Sequence, residues 1–82
     1  MEINSIIEKK EILKVLISRS LWKQYKKAKE FILVWNFISA SFKERQPKWA
    51  WIYYFRINRQ FRALGFIKNK ELFIFKIDNH QN

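Results

Sequence analysis

The sequence predicts an α+β domain in which one main helix packs on an antiparallel sheet. Three observations lead there. The chain has 82 residues, of which 49% are apolar and 18% aromatic, enough for one modest core and no second domain. Between Ser18 and Ser41 the apolar residues recur every three or four positions, the period of a helix. After Pro47 that period gives way to short aromatic and β-branched runs separated by Asn, the pattern of strands and turns.

Taken in order, residues 1–10 read as an N-terminal extension of a single domain spanning residues 1–82. "EILKVLI" (11–17) is rich in β-branched residues and reads as a first strand, although Ile6, Ile7, Leu13 and Leu16 also fit a helical period. In the next segment Leu21, Tyr25, Ala28, Ile32 and Trp35 form an apolar stripe, with Lys23, Lys26, Lys27 and Lys29 on the other faces. This predicts an amphipathic helix over about 19–40, capped by Ser18 or Ser20, whose stripe serves core packing rather than a ligand. Three strands follow at about 49–57, 61–67 and 71–77, with Asn58 and Asn69 in the connections, where Asn tolerates the left-handed backbone of tight turns. The third run is apolar at both parities, as in a strand internal to its sheet.

Composition narrows the partners. Seventeen Lys and Arg against seven Asp and Glu leave a formal charge of +10, which favours nucleic acid or another polyanion. The excess is concentrated: Arg45, Lys48, Arg56, Arg59, Arg62, Lys68, Lys70 and Lys76 face only Glu71 between residues 45 and 76. There is no Cys and one His, so neither a disulfide framework nor a metal site is expected, and no cofactor. The apolar runs Phe31–Trp35 and Trp49–Phe55 are too short to span a bilayer, and the N-terminus lacks the order of a signal peptide. A cytoplasmic protein with no membrane partner is the expectation.

Register carries the functional question. If Asn58-Arg59-Gln60 is a three-residue loop, Ile57 opposes Phe61 and Arg56 opposes Arg62. If Lys68-Asn69-Lys70 is likewise a loop, Arg62 opposes Lys76, and parity carries Asp78 and His80 to the same side. The opposite face would then show Trp49, Trp51, Tyr53, Phe55, Phe61, Ala63, Ile67, Phe73 and Phe75 as a floor for the helix. Two arginines placed directly opposite repel each other, which makes sense if an anion sits between them, and guanidinium groups interleaved with rings are what RNA binders use. A solvated basic face fits the same pattern. Arg45, Arg59, Lys76 and Tyr54 complete the candidate RNA- and phosphate-binding set.

"YYFRINRQFRALGF" with "KELFIFKIDNH" resembles the C-terminal half of toxins in the RelE/ParE superfamily of bacterial toxin–antitoxin systems, in which an Arg-x-Asn hairpin precedes an aromatic–Arg pair and a final strand leads to a terminal His or Arg. "SASFK" (39–43) and "SLWKQYKK" (20–27) are similar to earlier segments of that family. The resemblance implies a β-α-(α)-β-β-β fold; the stretch between the first strand and Pro47 is short for two full-length helices, so a single helix is expected here in place of the family's helical hairpin. For the ribosome-dependent members it implies metal-independent endoribonuclease activity on mRNA, with RNA and the ribosome as partners and an acidic antitoxin as the inhibitor. By position it makes Arg56, Arg62 and His80 the catalytic candidates and adds Lys43 to the phosphate-binding set. A ParE-like gyrase inhibitor, a toxin that binds without hydrolysis, or a small basic nucleic-acid-binding domain would use the same basic face.

Overall fold

The computed structural model describes residues 2–79, in the order β1 (Ser5–Glu8), α1 (Lys10–Ser18), α2 (Trp22–Leu33), β2 (Lys43–Glu44), β3 (Tyr53–Arg56), β4 (Phe61–Lys68) and β5 (Glu71–Asn79), with a 3₁₀ turn at Lys48–Ala50. The strands form one sheet in the order β1-β5-β4-β3-β2. The α+β class stands, and β5 is internal as expected. The sheet is mixed rather than antiparallel, because β1 pairs parallel to β5. None of the helices among the described residues is long and apolar enough to cross a membrane.

The N-terminal half departs most from expectation. The expected extension at 1–10 is, from residue 2 onward, part of the fold, since Ile3 is fully buried and Ser5–Glu8 supply an edge strand whose Ser5 hydroxyl donates to Glu71 at 2.9 Å. Residues 11–17 are helical, which replaces the expected strand and gives two helices where one was expected. Ile12 and Leu16, one turn apart, are the buried members of α1, while Lys10 and Lys14 face out. The four-residue spacing thus outweighs the β propensity of Val15 and Ile17, as tertiary burial generally does.

α2 buries Tyr25, Ala28 and Ile32, with Leu21 at its N-terminal end, so most of the predicted stripe is core. It stops at Leu33, short of the expected Ser39–Ser41. The reason is a left-handed residue: Trp35 has φ 62°, its N–H donates to Ile32 O, and the N–H of Asn36 reaches back to Phe31 O, closing the helix in a Schellman arrangement. Trp35 therefore leaves the stripe, is half-exposed, and donates its indole N–H to Ile3 O at 3.0 Å. The same device ends α1 at Ser20 (φ 58°) and the turn before β2 at Ser41 (φ 53°).

Glu8 lies on the helix-covered face. Its carboxylate accepts from the Tyr25 hydroxyl at 2.6 Å and from Lys29 Nζ at 2.8 Å, tying β1 to α2. Burial, followed by the hydrogen bond and charge of Glu8, holds the Tyr25 hydroxyl well above the ordinary tyrosine range, so it stays protonated.

Two details of the meander set the faces of the sheet. The β4–β5 connection is a two-residue turn, Asn69-Lys70, with φ of 53° and 64°, and not the expected three-residue loop. It pairs Lys68 with Glu71 and shifts the register by one, and a bulge then inserts Phe75 between the pairs Gly65↔Ile74 and Leu64↔Lys76. One shift offsets the other in parity. Arg62 therefore opposes Asp78 rather than Lys76, while Lys76 stays on the same face, opposite Leu64. Between turn and bulge the odd register carries Phe73 to the face opposite the helices, and the bulged Phe75 joins it. There they meet Phe66 at ring distances of 5.3 and 6.3 Å, instead of forming part of the floor under the helices. Trp49 and Trp51 leave that floor as well: the 3₁₀ turn and the left-handed Trp51 (φ 59°) delay β3 to Tyr53, leaving the two rings 78% and 71% exposed.

Beside the bulge, Gly65 is held against β5. A Cβ built there would meet Phe73 O at 2.5 Å and the Leu72 and Ile74 side chains at 3.0 and 3.1 Å. Because the closest atom is backbone, relief requires moving a strand. Gly65→Ala is expected to cost about 1–3 kcal/mol as an overpacking change, at about 4–8 °C of melting temperature per kcal/mol for a domain of this size. An unchanged melting temperature would show that β4 and β5 are not this close.

Candidate nucleic-acid interface

The basic residues gather because of one short turn. Asn58 Oδ1 accepts from the N–H groups of Gln60 and Phe61, both at 2.8 Å, and the Ile57 N–H donates to Phe61 O at 3.0 Å. That closes the expected three-residue loop and fixes Arg56 directly opposite Arg62. Alternation then places Tyr54 and Leu64 beside them on the face away from α1 and α2, and Lys43 opposite Tyr54 from the edge strand β2. Their neighbours of the other parity, Phe55 and Ala63, are fully buried beneath the helices.

On this open face the Arg62 guanidinium lies 4.8 Å from the centroid of the Tyr54 ring. Two adjoining hollows flank the stacked pair. One, of about 160 Å³, is lined by Arg45, Tyr54, Arg62, Leu64 and Asp78. The other, of about 70 Å³, is lined by Ser41, Lys43, Tyr54, Arg56 and Arg62. Four cations, Lys43, Arg45, Arg56 and Arg62, therefore surround one aromatic ring, with Asp78 as the carboxylate of the cluster. Asp78 lies 3.8 Å from Lys76 and faces Arg62 across the strands. None of the four arginines from Arg45 to Arg62 makes an ion pair among the described residues.

Like charges directly opposed on a sheet cost about 0.2–1 kcal/mol. Stacking of Arg62 on Tyr54 returns about 0.5–1 kcal/mol, so the arrangement is tolerated without being a source of stability. It is suited to an anion: two guanidinium groups offer forked donors to phosphate oxygens, and the Tyr54 ring offers a flat surface beside them.

Of the sequence-predicted site residues, the structure brings together Arg56, Arg62, Lys43, Arg45 and Tyr54. Lys76 shares the face but lies against Asp78, and Arg59 is exposed in the turn, outside the hollows. His80 lies outside the described residues. Sequence reasoning gave no part to Leu64, a buried floor residue on the open face, or to Ser41, which reaches the second hollow from the left-handed turn before β2. Asp78 was expected on this side, but its position opposite Arg62 follows from the bulge. No protein-family model matches the chain and no curated protein matches it, so what this face binds is inferred from its own chemistry.

Proposed function

We propose that the chain is a RelE/ParE-like toxin whose open sheet face binds mRNA on the ribosome and cleaves it without a metal. The observation that carries this is the direct opposition of Arg56 and Arg62, neither of which makes an ion pair among the described residues, beside Tyr54 and Lys43. The C-terminal meander of β3, β4 and β5 also supports it, although the chain has two helices where one was expected and its first strand lies at Ser5–Glu8 rather than at 11–17.

In such a reaction the ribose 2′-oxygen attacks the adjacent phosphorus, the bond to the 5′-oxygen breaks, and a cyclic phosphate is left. A base takes the 2′ proton and an acid returns one to the leaving oxygen. Arg56 and Arg62 would hold the phosphate and offset the charge that grows on its oxygens, and Tyr54 would stack on a neighbouring base. His80 takes the acid–base role by the resemblance, as an imidazole titrates near neutrality.

A second function, binding without hydrolysis, draws on Asp78, which faces Arg62 and offsets part of the charge a transition state would use. Mapping mRNA ends after translation in extract separates the two. Codon-dependent cleavage by the wild-type protein supports the enzyme, and tight ribosome or nucleic-acid binding without new ends supports the binder.

Either way, affinity for RNA is expected to fall steeply with salt. Removing one phosphate-contacting cation, as in Lys43→Ala, should flatten the plot of log affinity against log salt by about 0.7 for a single strand. Salt-independent binding would rule out an electrostatic face.

A further inference from the structure

A third hollow adjoins the two on the open face. Tyr54 and Arg62 line both the first and the second, and Ser41 and Arg56 line both the second and the third. The third hollow lies beyond the Arg56 end of β3, against α2, where Gln24, Lys27, Ala28 and Phe31 wall it. These four positions follow the i, i+3, i+4, i+7 pattern of one helix face. Three adjoining hollows therefore follow one another from between Arg45 and Arg62, past Arg56, to the flank of α2.

The chemistry changes along the way. The open-face hollows are walled by guanidinium groups and a ring. The third has an apolar floor, in which Ala28 and Ile57 are buried and Phe31 is half-buried, and a polar mouth formed by Gln24, Lys27 and Ser39, all exposed. Its volume of about 200 Å³ falls below the roughly 300–1,000 Å³ of sites that enclose drug- or cofactor-sized molecules. A single flat heteroaromatic ring suits it: Phe31 offers a face, the Gln24 amide and Ser39 hydroxyl can both donate and accept at the ring edge, and Lys27 sits where a flanking phosphate would pass.

We infer that this hollow is a nucleobase subsite, so that single-stranded RNA seated between Arg56 and Arg62 turns around the end of the sheet and places its next base against α2. This rests on the RNA-binding role of the arginine pair. The row of hollows carries Arg45, Arg62, Lys43, Arg56 and Lys27 along that path, with Asp78 as the carboxylate lining it.

The test uses the full chain, fluorescence anisotropy, and two probes: a single-stranded oligouridine RNA, and inorganic polyphosphate, which has the charge without the bases. The double variant Gln24→Ala/Ser39→Ala changes no charge and alters only exposed side chains. It should weaken the RNA by about 5- to 10-fold, as expected from losing two edge hydrogen bonds, and leave polyphosphate unaffected. Ser39→Trp, which fills the mouth, should give the same selective loss, with melting temperatures recorded for both. If RNA binds, is lost in Arg62→Ala, and is unaffected by both mouth variants, the subsite is overturned while the arginine seat stands. Equal weakening of both probes by the mouth variants also overturns it. If wild-type protein fails to bind RNA, or binds it independently of Arg62, the seat and the subsite fall together.

Discussion

Arg62→Ala is expected to lower cleavage of mRNA on programmed ribosomes by about 10²–10³-fold, the usual loss when one preorganised donor to a developing oxyanion is removed. The melting temperature should hardly move, because two small terms oppose each other. Loss of the stack on Tyr54 costs about 0.5–1 kcal/mol, and relief of the repulsion with Arg56 returns about 0.2–1 kcal/mol. Arg62→Lys keeps the charge without the fork and should recover only part of the rate. His80→Ala belongs in the same assay, where loss of a general acid or base is typically worth 10²–10⁴-fold. Wild-type cleavage by Arg62→Ala would remove the arginine pair from the chemistry. Wild-type cleavage by His80→Ala would leave proton transfer to another group.

The largest expected effect on stability lies one residue from the binding face. Phe55→Ala removes a fully buried ring that packs 5.8 Å from that of Tyr25, and is expected to cost about 3–5 kcal/mol. At about 0.05–0.15 kcal/mol per residue, a domain of this length has roughly 4–12 kcal/mol in total, so the variant should lose from about a quarter to all of its stability. Its neighbour Tyr54 points to the other face, and Tyr54→Ala should weaken RNA binding while changing stability little. Chemical denaturation of both, with RNA affinity measured on the folded fraction, separates the faces of β3. A Phe55→Ala protein as stable as the wild type would mean that β3 is registered the other way.

Some of this could be read from the sequence because it is local. The opposition of Arg56 and Arg62 spans seven residues and depends on one turn, and Asn58 declares that turn by accepting from the N–H groups of Gln60 and Phe61. The buried face of α2 follows from spacing alone, as Tyr25, Ala28 and Ile32 show. The helix ends were not legible for an equally physical reason. A left-handed stop usually shows itself as Gly, but the chain's one Gly is Gly65, and the stops at Ser20, Trp35 and Ser41 are made by residues that carry no such signal.

By itself, then, the sequence determined a basic α+β domain, an amphipathic α2, and two arginines facing each other across a hairpin, because periodicity and turn chemistry act over a few residues. Only the tertiary structure decided what lies far apart in the chain. Ser5–Glu8 became a strand because β5 had a free edge to pair with, some sixty-six residues away, and residues 11–17 became a helix because Ile12 and Leu16 had a sheet to bury against. The same holds for Asp78 and Phe73. A two-residue turn shifted the register by one and the bulge at Phe75 shifted it by one more, restoring the parity but not the partners, so the face of Phe73 and the partner of Asp78 depend on how two strands close against each other, which no local pattern in either strand records.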